Sequence, residues 1–209
     1  MTTATAPRLT AKGAATRARI VAAAADLVLA RGVGGTSLDD VRAGTLTSKS
    51  QLFHYFPGGK TELVMAIATY QFERVLQAQR PYLETLDNWA DWDGWRDALL
   101  AHYGSQPHWG CPVGTLVSEL TGTDPVAAAQ VAGHLDSWCG YLRDGLRRMR
   151  DSGLLRPDAD PDRLGLAVFA SVQGGLLLTQ ATRSIEPLSA ALDAALTALH
   201  AAALTPPRS

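Results

Sequence analysis

Residues 36–60 read TSLDDVRAGTLTSKSQLFHYFPGGK, and the rest of the chain is arranged around them. Ser37 can accept a hydrogen bond from the free N–H groups of the turn that follows, and Asp40 sits three residues on, where a helix start prefers negative charge. A short helix is predicted over about 38–43, with Leu38 and Val41 on a buried face and Asp39 and Arg42 toward solvent. Ser48 and Gln51 repeat the signal as an S-x-x-Q capping box. That box opens a second short helix, which carries Leu52 and Phe56 at i and i+4 and stops at Pro57-Gly58-Gly59. Two short capped helices joined by about four residues form a helix-turn-helix, whose second helix lies in the DNA major groove with its N-terminal side chains at base edges. Here those side chains are Ser48, Lys49, Ser50 and Gln51, all polar and none acidic.

With these residues in place, the stretch resembles the DNA-binding motif of the tetracycline-repressor (TetR) family of bacterial regulators. The family pattern runs T, apolar, D-I-A, then A-G-V-S-x-G-x-L-Y-x-H-F, then S-K-E-x-L. The matching residues are Thr36, Leu38, Asp40, Val41, Ser48, Leu52, Phe53, Tyr55 and Phe56, followed by Lys60, Glu62 and Leu63. The match is specific over the first third of the chain and rests elsewhere on helix pattern and length. Two departures stand out. Leu46 replaces the family's turn glycine, at a cost of roughly 1 kcal/mol if that position needs positive φ, so Gly44 is expected to take part of the bend. Phe53 replaces a tyrosine, removing one phosphate-reaching hydroxyl while Tyr55 remains.

The resemblance implies an all-α fold: an N-terminal three-helix helix-turn-helix DNA-binding domain, and a C-terminal helical domain for ligand binding and dimerisation. The expected boundaries are a flexible basic arm over 1–13, the DNA-binding domain over 14–62 and the larger domain over 63–205. The residues expected at DNA are Thr36, Ser37, Thr47, Ser48, Lys49, Ser50, Gln51, His54, Tyr55 and Lys60. The partners implied are a double-stranded operator, palindromic because the protein is a homodimer, and a small-molecule effector that releases it. Repression is the family's usual mode. No cofactor, metal or membrane is expected.

Composition agrees with a polyanion partner at one end. Residues 1–63 hold eight basic side chains (Arg8, Lys12, Arg17, Arg19, Arg31, Arg42, Lys49, Lys60) against four acids (Asp26, Asp39, Asp40, Glu62). The other residues are net acidic, and the whole-chain charge of −1 hides this asymmetry. At 209 residues and 46% hydrophobic, the chain is long enough for two modest domains. Two cysteines, Cys111 and Cys139, make no disulfide framework and suit a reducing, cytoplasmic setting. No secretory signal is read at the N-terminus, and no window is read as apolar enough to span a bilayer.

An alanine-rich helix is predicted over 14–31, with Ile20, Ala24, Leu27 and Val28 on one stripe and Gly32 as its stop. Arg17 and Arg19 on it have two readings, a solvated face or phosphate contact. A long helix over 60–79 then links the two domains and ends before Pro81. Residues 82–110 carry an aromatic cluster that is either ordinary core or the wall of a small-molecule cavity. The candidate ligand residues are Trp89, Trp92, Trp95, Tyr103 and Trp109, with Trp138, Phe169 and Gln173 from later helices.

Cys111-Pro112 opens a further helix and Asp124-Pro125 another, the second ending in an arginine run that complements its C-terminal dipole. The spacing of His102, His108, Cys111 and Cys139 fits no compact metal motif, and Cys111 is either a buried thiol or a redox sensor. Two last helices, 161–183 and 187–203, are expected to form half of a four-helix dimer interface through Gly174, Gly175, Leu178, Leu188, Leu192 and Leu199.

Two rival classes remain on sequence alone. One is a helical small-molecule-binding protein or enzyme without operator specificity, although no nucleophile, base and orienting group share a recognisable spacing. The other is a non-specific architectural DNA binder, whose affinity would hardly vary with sequence.

Overall fold

The computed structural model describes residues 9–204. Among them are ten helices, and the chain divides between Tyr70 and Gln71 into two compact units. The expected boundary at 62/63 falls earlier, inside a helix that the two units share.

In the N-terminal unit, α1 (Ala11–Arg31) starts three residues before the expected position. Thr10 caps it by accepting a hydrogen bond from Gly13 N at 3.2 Å, so residues 11–13 are helix rather than arm. The remainder of the expected arm, residues 1–8, lies outside the described residues. Gly32 at φ 75° ends α1, and the next turn is fixed by Thr36, whose hydroxyl donates to Gly32 O at 2.8 Å.

α2 (Leu38–Thr45) and α3 (Lys49–Tyr55) both begin with complete capping boxes. In the first, Asp40 Oδ2 accepts from Ser37 N at 2.8 Å, while Asp40 N donates to Ser37 Oγ at 3.1 Å. In the second, Gln51 Oε1 accepts from Ser48 N and Gln51 N donates to Ser48 Oγ, each at 3.1 Å. Each box satisfies two backbone donors that a helix this short could not otherwise hold.

The turn between α2 and α3 corrects one expectation. Leu46 itself takes the left-handed conformation (φ 52°, ψ 38°) with its side chain 95% exposed, while Gly44 stays helical within α2. The leucine therefore does the glycine's job in the same geometry instead of moving the bend. Arg19 reaches across from α1 and donates to Thr45 O at 2.7 Å, closing the end of α2. Arg17 lies over the Phe56 ring, 4.9 Å from its centroid. Both arginines thus hold the unit together, which decides against the purely solvated reading.

α4 (Gly59–Ala78) is started by Glu62, whose carboxylate accepts from Gly58 N at 2.8 Å. Its first part, through Tyr70, belongs to the N-terminal unit and buries Leu63, Val64 and Ile67. Its last turns belong to the C-terminal unit, which continues with α5 (Tyr82–Thr85), α6 (Trp89–Gly104), α7 (Pro112–Thr121), α8 (Pro125–Asp151), α9 (Pro161–Thr182) and α10 (Glu186–Ala201). Asn88, Asp124 and Asp160 cap α6, α8 and α9, the last two with proline in the first turn. α8 packs against α7 and α9, and α10 against α9.

The centre of this unit is aromatic and fully buried. Trp92, Trp95 and Trp138 are all 0% exposed, and each indole N–H has an acceptor. Trp95 and Trp138 share Gln79 Oε1, at 2.7 and 2.9 Å, while Gln79 Nε2 donates to Val75 O at 2.7 Å. The C-terminal end of α4 is thereby fastened to α6 and α8.

α9 corrects a second expectation. An 18-residue window of this 22-residue helix has a mean hydropathy of 1.4, enough to cross a membrane by length and composition, contrary to the sequence reading. Here it packs between α8 and α10, with Gly165 against the Arg143 backbone and Gly175 against Leu188. A Cβ at Gly175 would come within 3.0 Å of Leu188 Cα, which explains a helix interior that tolerates this glycine. Leu188, Leu192 and Leu199 are 0%, 0% and 1% exposed. They fill the space between α10 and its neighbours, so with Gly175 they are core of one protomer rather than a face for a second copy.

Candidate nucleic-acid interface

The N-terminal face of α3 is exposed at Ser48, Lys49, Ser50 and Gln51, and on its later turn at Phe53 and His54. No residue of α3 is acidic, and the acids around it are engaged. Asp40 is held in its capping box, Asp39 pairs with Arg42 at 2.5 Å, and Glu62 caps α4. Hydrogen bonds from Ser37, with a smaller contribution from Arg31, hold the Asp40 carboxyl below its ordinary value despite some desolvation.

Beside α3, the start of α1 completes a groove of about 370 Å³. It brings together Thr10, Lys12 and Thr16 from the α1 end with Gln51, His54 and Tyr55 from α3. A cation, hydroxyls and the first free N–H groups of a long helix meet there, a combination suited to a phosphate. Sequence reading missed Lys12 and Thr16 because it placed Lys12 in a flexible arm. The signal was present in Thr10 and Gly13, a cap and its third residue.

Several expected DNA contacts are turned elsewhere. Thr36 is 3% exposed and its hydroxyl serves the α1–α2 turn. Thr47 is 5% exposed, with its hydroxyl accepting from Thr45 Oγ1 at 2.8 Å. Neither side chain faces solvent, so neither can meet a base or phosphate without rearrangement. Ser37 and Ser48 are exposed but use their oxygens in caps. Lys49, Ser50 and His54 are exposed, and Tyr55 and Lys60 are half-buried.

The expected ligand wall is also redistributed. A side chain with no surface open to a water-sized sphere lines no cavity, so Trp92, Trp95 and Trp138 are core, and Tyr103 (2%) and Phe169 (8%) nearly so. Trp89 is half-buried on His200, with ring centroids 4.4 Å apart, and Trp109 is half-buried in the loop before α7. Gln173 lines an open cleft, between α7 and α9. Burial raises the thiol pKa of both Cys111 and Cys139, so both are protonated at neutral pH, which gives the redox reading of Cys111 no support. Among the described residues, no three His, Cys, Asp or Glu side chains gather as a metal site.

Residues 20–67 match the family model for bacterial regulatory proteins of the tetR family, and residues 94–195 match that for the tetracyclin repressor-like C-terminal domain. A helix-turn-helix-type transcriptional regulator of Mycobacterium tuberculosis (strain ATCC 25618 / H37Rv) is 28% identical over 189 residues, covering 82% of this chain and 88% of its own. One from Lactococcus lactis subsp. lactis is 26% identical over 185 residues, covering 85% and 90%. A helix-turn-helix-type transcriptional repressor of Mycobacterium sp. (strain GP1) is 23% identical over 190 residues, covering 88% and 91%. Among solved structures, a TetR transcriptional regulator from Chloroflexus aurantiacus J-10-FL superposes with a TM-score of 0.79 at 25% identity, covering 93% of this chain and 98% of its own.

Proposed function

This chain belongs to the tetracycline-repressor family of helix-turn-helix DNA-binding transcriptional regulators, and on that premise we propose that it is a cytoplasmic, homodimeric repressor released from a palindromic operator by a small molecule. The relatives are regulators of transcription, and so is this protein, rather than an enzyme.

The observation that carries the DNA-reading part is the doubly capped α2–α3 pair, whose exposed α3 face is polar and free of acid beside the Lys12 groove. In this reading Lys49, Ser50 and Gln51 meet base edges, while Lys12, Thr16, His54, Tyr55 and Lys60 hold the phosphates. The dimer forms through the outward face of α9. Leu166, Leu177 and Leu178 are 53%, 66% and 55% exposed there, and a Cβ on Gly174 would meet nothing within 4 Å. An apolar stripe of that kind on a soluble regulator calls for a cover, and a second copy supplies the same stripe.

Release follows from linkage. A ligand that binds more tightly to the arrangement unable to span two half-sites must bind more weakly when operator is present. α4 carries the signal between the units in this scheme, its C-terminal end fixed by Gln79 to Trp95 and Trp138. Binding-site selection from random duplexes tests the whole reading. The expected product is a palindrome whose half-sites are centred about one helical turn, or a multiple, apart. Recovery of no preferred sequence would make the protein a non-specific binder.

A further inference from the structure

The α7–α9 cleft has a chemistry that DNA reading and dimerisation leave unused. It measures about 390 Å³, at the small end of ligand pockets, and its polar lining comprises Cys111, Thr115, Ser118, Glu119, Gln173 and Gln180. Two backbone positions without side chains keep it open. A Cβ on Gly114 would lie 3.3 Å from Gln173 Oε1, and one on Gly110 (φ 95°) would lie 2.8 Å from Gln180 Oε1. The two glutamines are seven residues apart on α9 and so share the face that looks across to α7.

The polar row at the inner end of this cleft is unfinished. Gln173 Nε2 is buried without a hydrogen-bond partner, and so is the hydroxyl of Tyr103, a residue only 2% exposed. Both groups stand beside the Cys111 thiol, outside good hydrogen-bond geometry. That sulfur is a weak acceptor and already takes Gly114 N at 3.3 Å. Buried donors left unpaired cost free energy that an incoming acceptor would return. The charge of the lining narrows the acceptor further. None of the lining residues is Lys or Arg and one is Glu119, so an anion entering the cleft would lose hydration with no cation to replace it.

We propose that this cleft binds a small uncharged molecule whose carbonyl oxygen accepts a hydrogen bond from Gln173 Nε2, with the Tyr103 hydroxyl closing the same polar row. That this ligand is also the effector rests on the reading of the protein as a ligand-released repressor, and the test separates the two claims.

The probes are acetophenone and 1-indanone, their hydrocarbon counterparts ethylbenzene and indane, and the anion benzoate. Each is titrated into the full-length protein and followed by saturation-transfer NMR. On the unmodified protein the ketones should bind at least tenfold more tightly than the hydrocarbons or benzoate. Gln173→Leu and Gln173→Glu should weaken the ketones at least tenfold. Ser118→Phe should do the same by filling the cleft from an exposed position, where the fold is not at stake. Failure of the ketones to bind, equal binding of benzoate or the hydrocarbons, or indifference to all three substitutions overturns the assignment. Repeating the titrations on operator-bound protein tests the effector role: cleft binding without operator release upholds the site and removes the effector reading. Operator release by a ketone that survives both Gln173→Leu and Ser118→Phe places its site elsewhere and overturns the proposal.

Discussion

Gln79 Oε1 lies 2.7 Å from Trp95 Nε1, inside a core where both residues are fully buried, and the same oxygen takes a second indole N–H from Trp138. A single side-chain amide thus satisfies two of the largest groups in the C-terminal unit. Replacing it with leucine keeps the volume but orphans both donors, at about 1–3 kcal/mol for each unpaired group. Gln79→Leu should therefore lose roughly 2–6 kcal/mol in urea unfolding, a figure built on that per-group cost. Trp95→Phe, which removes a donor together with its need, should leave the Gln79–Trp138 bond intact by near-UV circular dichroism. A Gln79→Leu protein as stable as the parent would mean the shared acceptor contributes nothing net.

The left-handed leucine in the α2–α3 turn makes a prediction of unusual sign. Leu46 is 95% exposed at φ 52°, so its side chain gives little packing in return for backbone strain. Leu46→Gly should stabilise the protein by about 1 kcal/mol, and Leu46→Val, with a branched Cβ, should destabilise it. Thermal unfolding of the two variants checks the ordering, and a destabilised glycine variant would contradict it.

At the DNA face, Gln51 has two jobs that alanine would remove together. Its Oε1 accepts from Ser48 N in the capping box, leaving Nε2 for a base acceptor. Gln51→Glu keeps the cap but replaces the donor with a negative charge. It should leave thermal stability nearly unchanged while weakening the selected operator by about 1–3 kcal/mol or more, the worth of one base contact. Lys12→Ala and Lys60→Ala serve as controls, since a phosphate contact shows as a shallower salt dependence on all sequences. Full operator affinity in Gln51→Glu would place base reading on other residues.

Leu178 and Leu192 should respond oppositely to the same change. Leu178 is 55% exposed on the outer face of α9, whereas Leu192 is 0% exposed between α10 and its neighbours. Leu178→Glu should give a folded monomer by light scattering with unchanged helical circular dichroism. Leu192→Glu should lose the fold, because it buries an unpaired charge. A dimeric Leu178→Glu protein would move the interface off this face.

Two histidines give the C-terminal unit an acid-sensitive component. Burial lowers the pKa of His102, aided by the Arg74 charge, and burial also lowers that of His134 against the opposing pull of Glu73. Between the depressed folded values and the ordinary value of about 6.5, the unfolded chain binds more protons than the folded one. Stability therefore rises with pH across that window and falls as pH drops below about 6.5. His102→Gln should flatten part of this slope in urea titrations between about pH 5 and 7. An unchanged slope would assign the sensitivity to other groups.

Local signals were legible in the chain where they act within a turn or two of themselves. Ser37 with Asp40, Ser48 with Gln51, Asp124-Pro125 and Asp160-Pro161 each mark a helix start by a bond to a residue two or three positions away, and all of them form. The same locality makes α3 and its polar face readable from residues 48–56 alone. Thr10 escaped only because the residues ahead of it read as an arm.

What the sequence by itself determined, then, is an all-α chain with a capped, acid-free helix-turn-helix and an apolar pair of closing helices. Tertiary structure alone decided which way the shared residue types point. Thr36 and Thr47 look like any hydroxyl near DNA until Gly32 O and Thr45 are seen to hold them inward. The tryptophans look like a ligand wall until Gln79, far from Trp138 in sequence, is found to satisfy both Trp95 and Trp138. On α9 and α10, leucines at helical spacing serve either the protomer's own core or a second copy. Only the crossing of the two helices sends Leu188, Leu192 and Leu199 inward and leaves Leu166, Leu177 and Leu178 outside. Periodicity fixes which side chains share a face, but the direction of that face depends on long-range packing between helices, which no local pattern encodes.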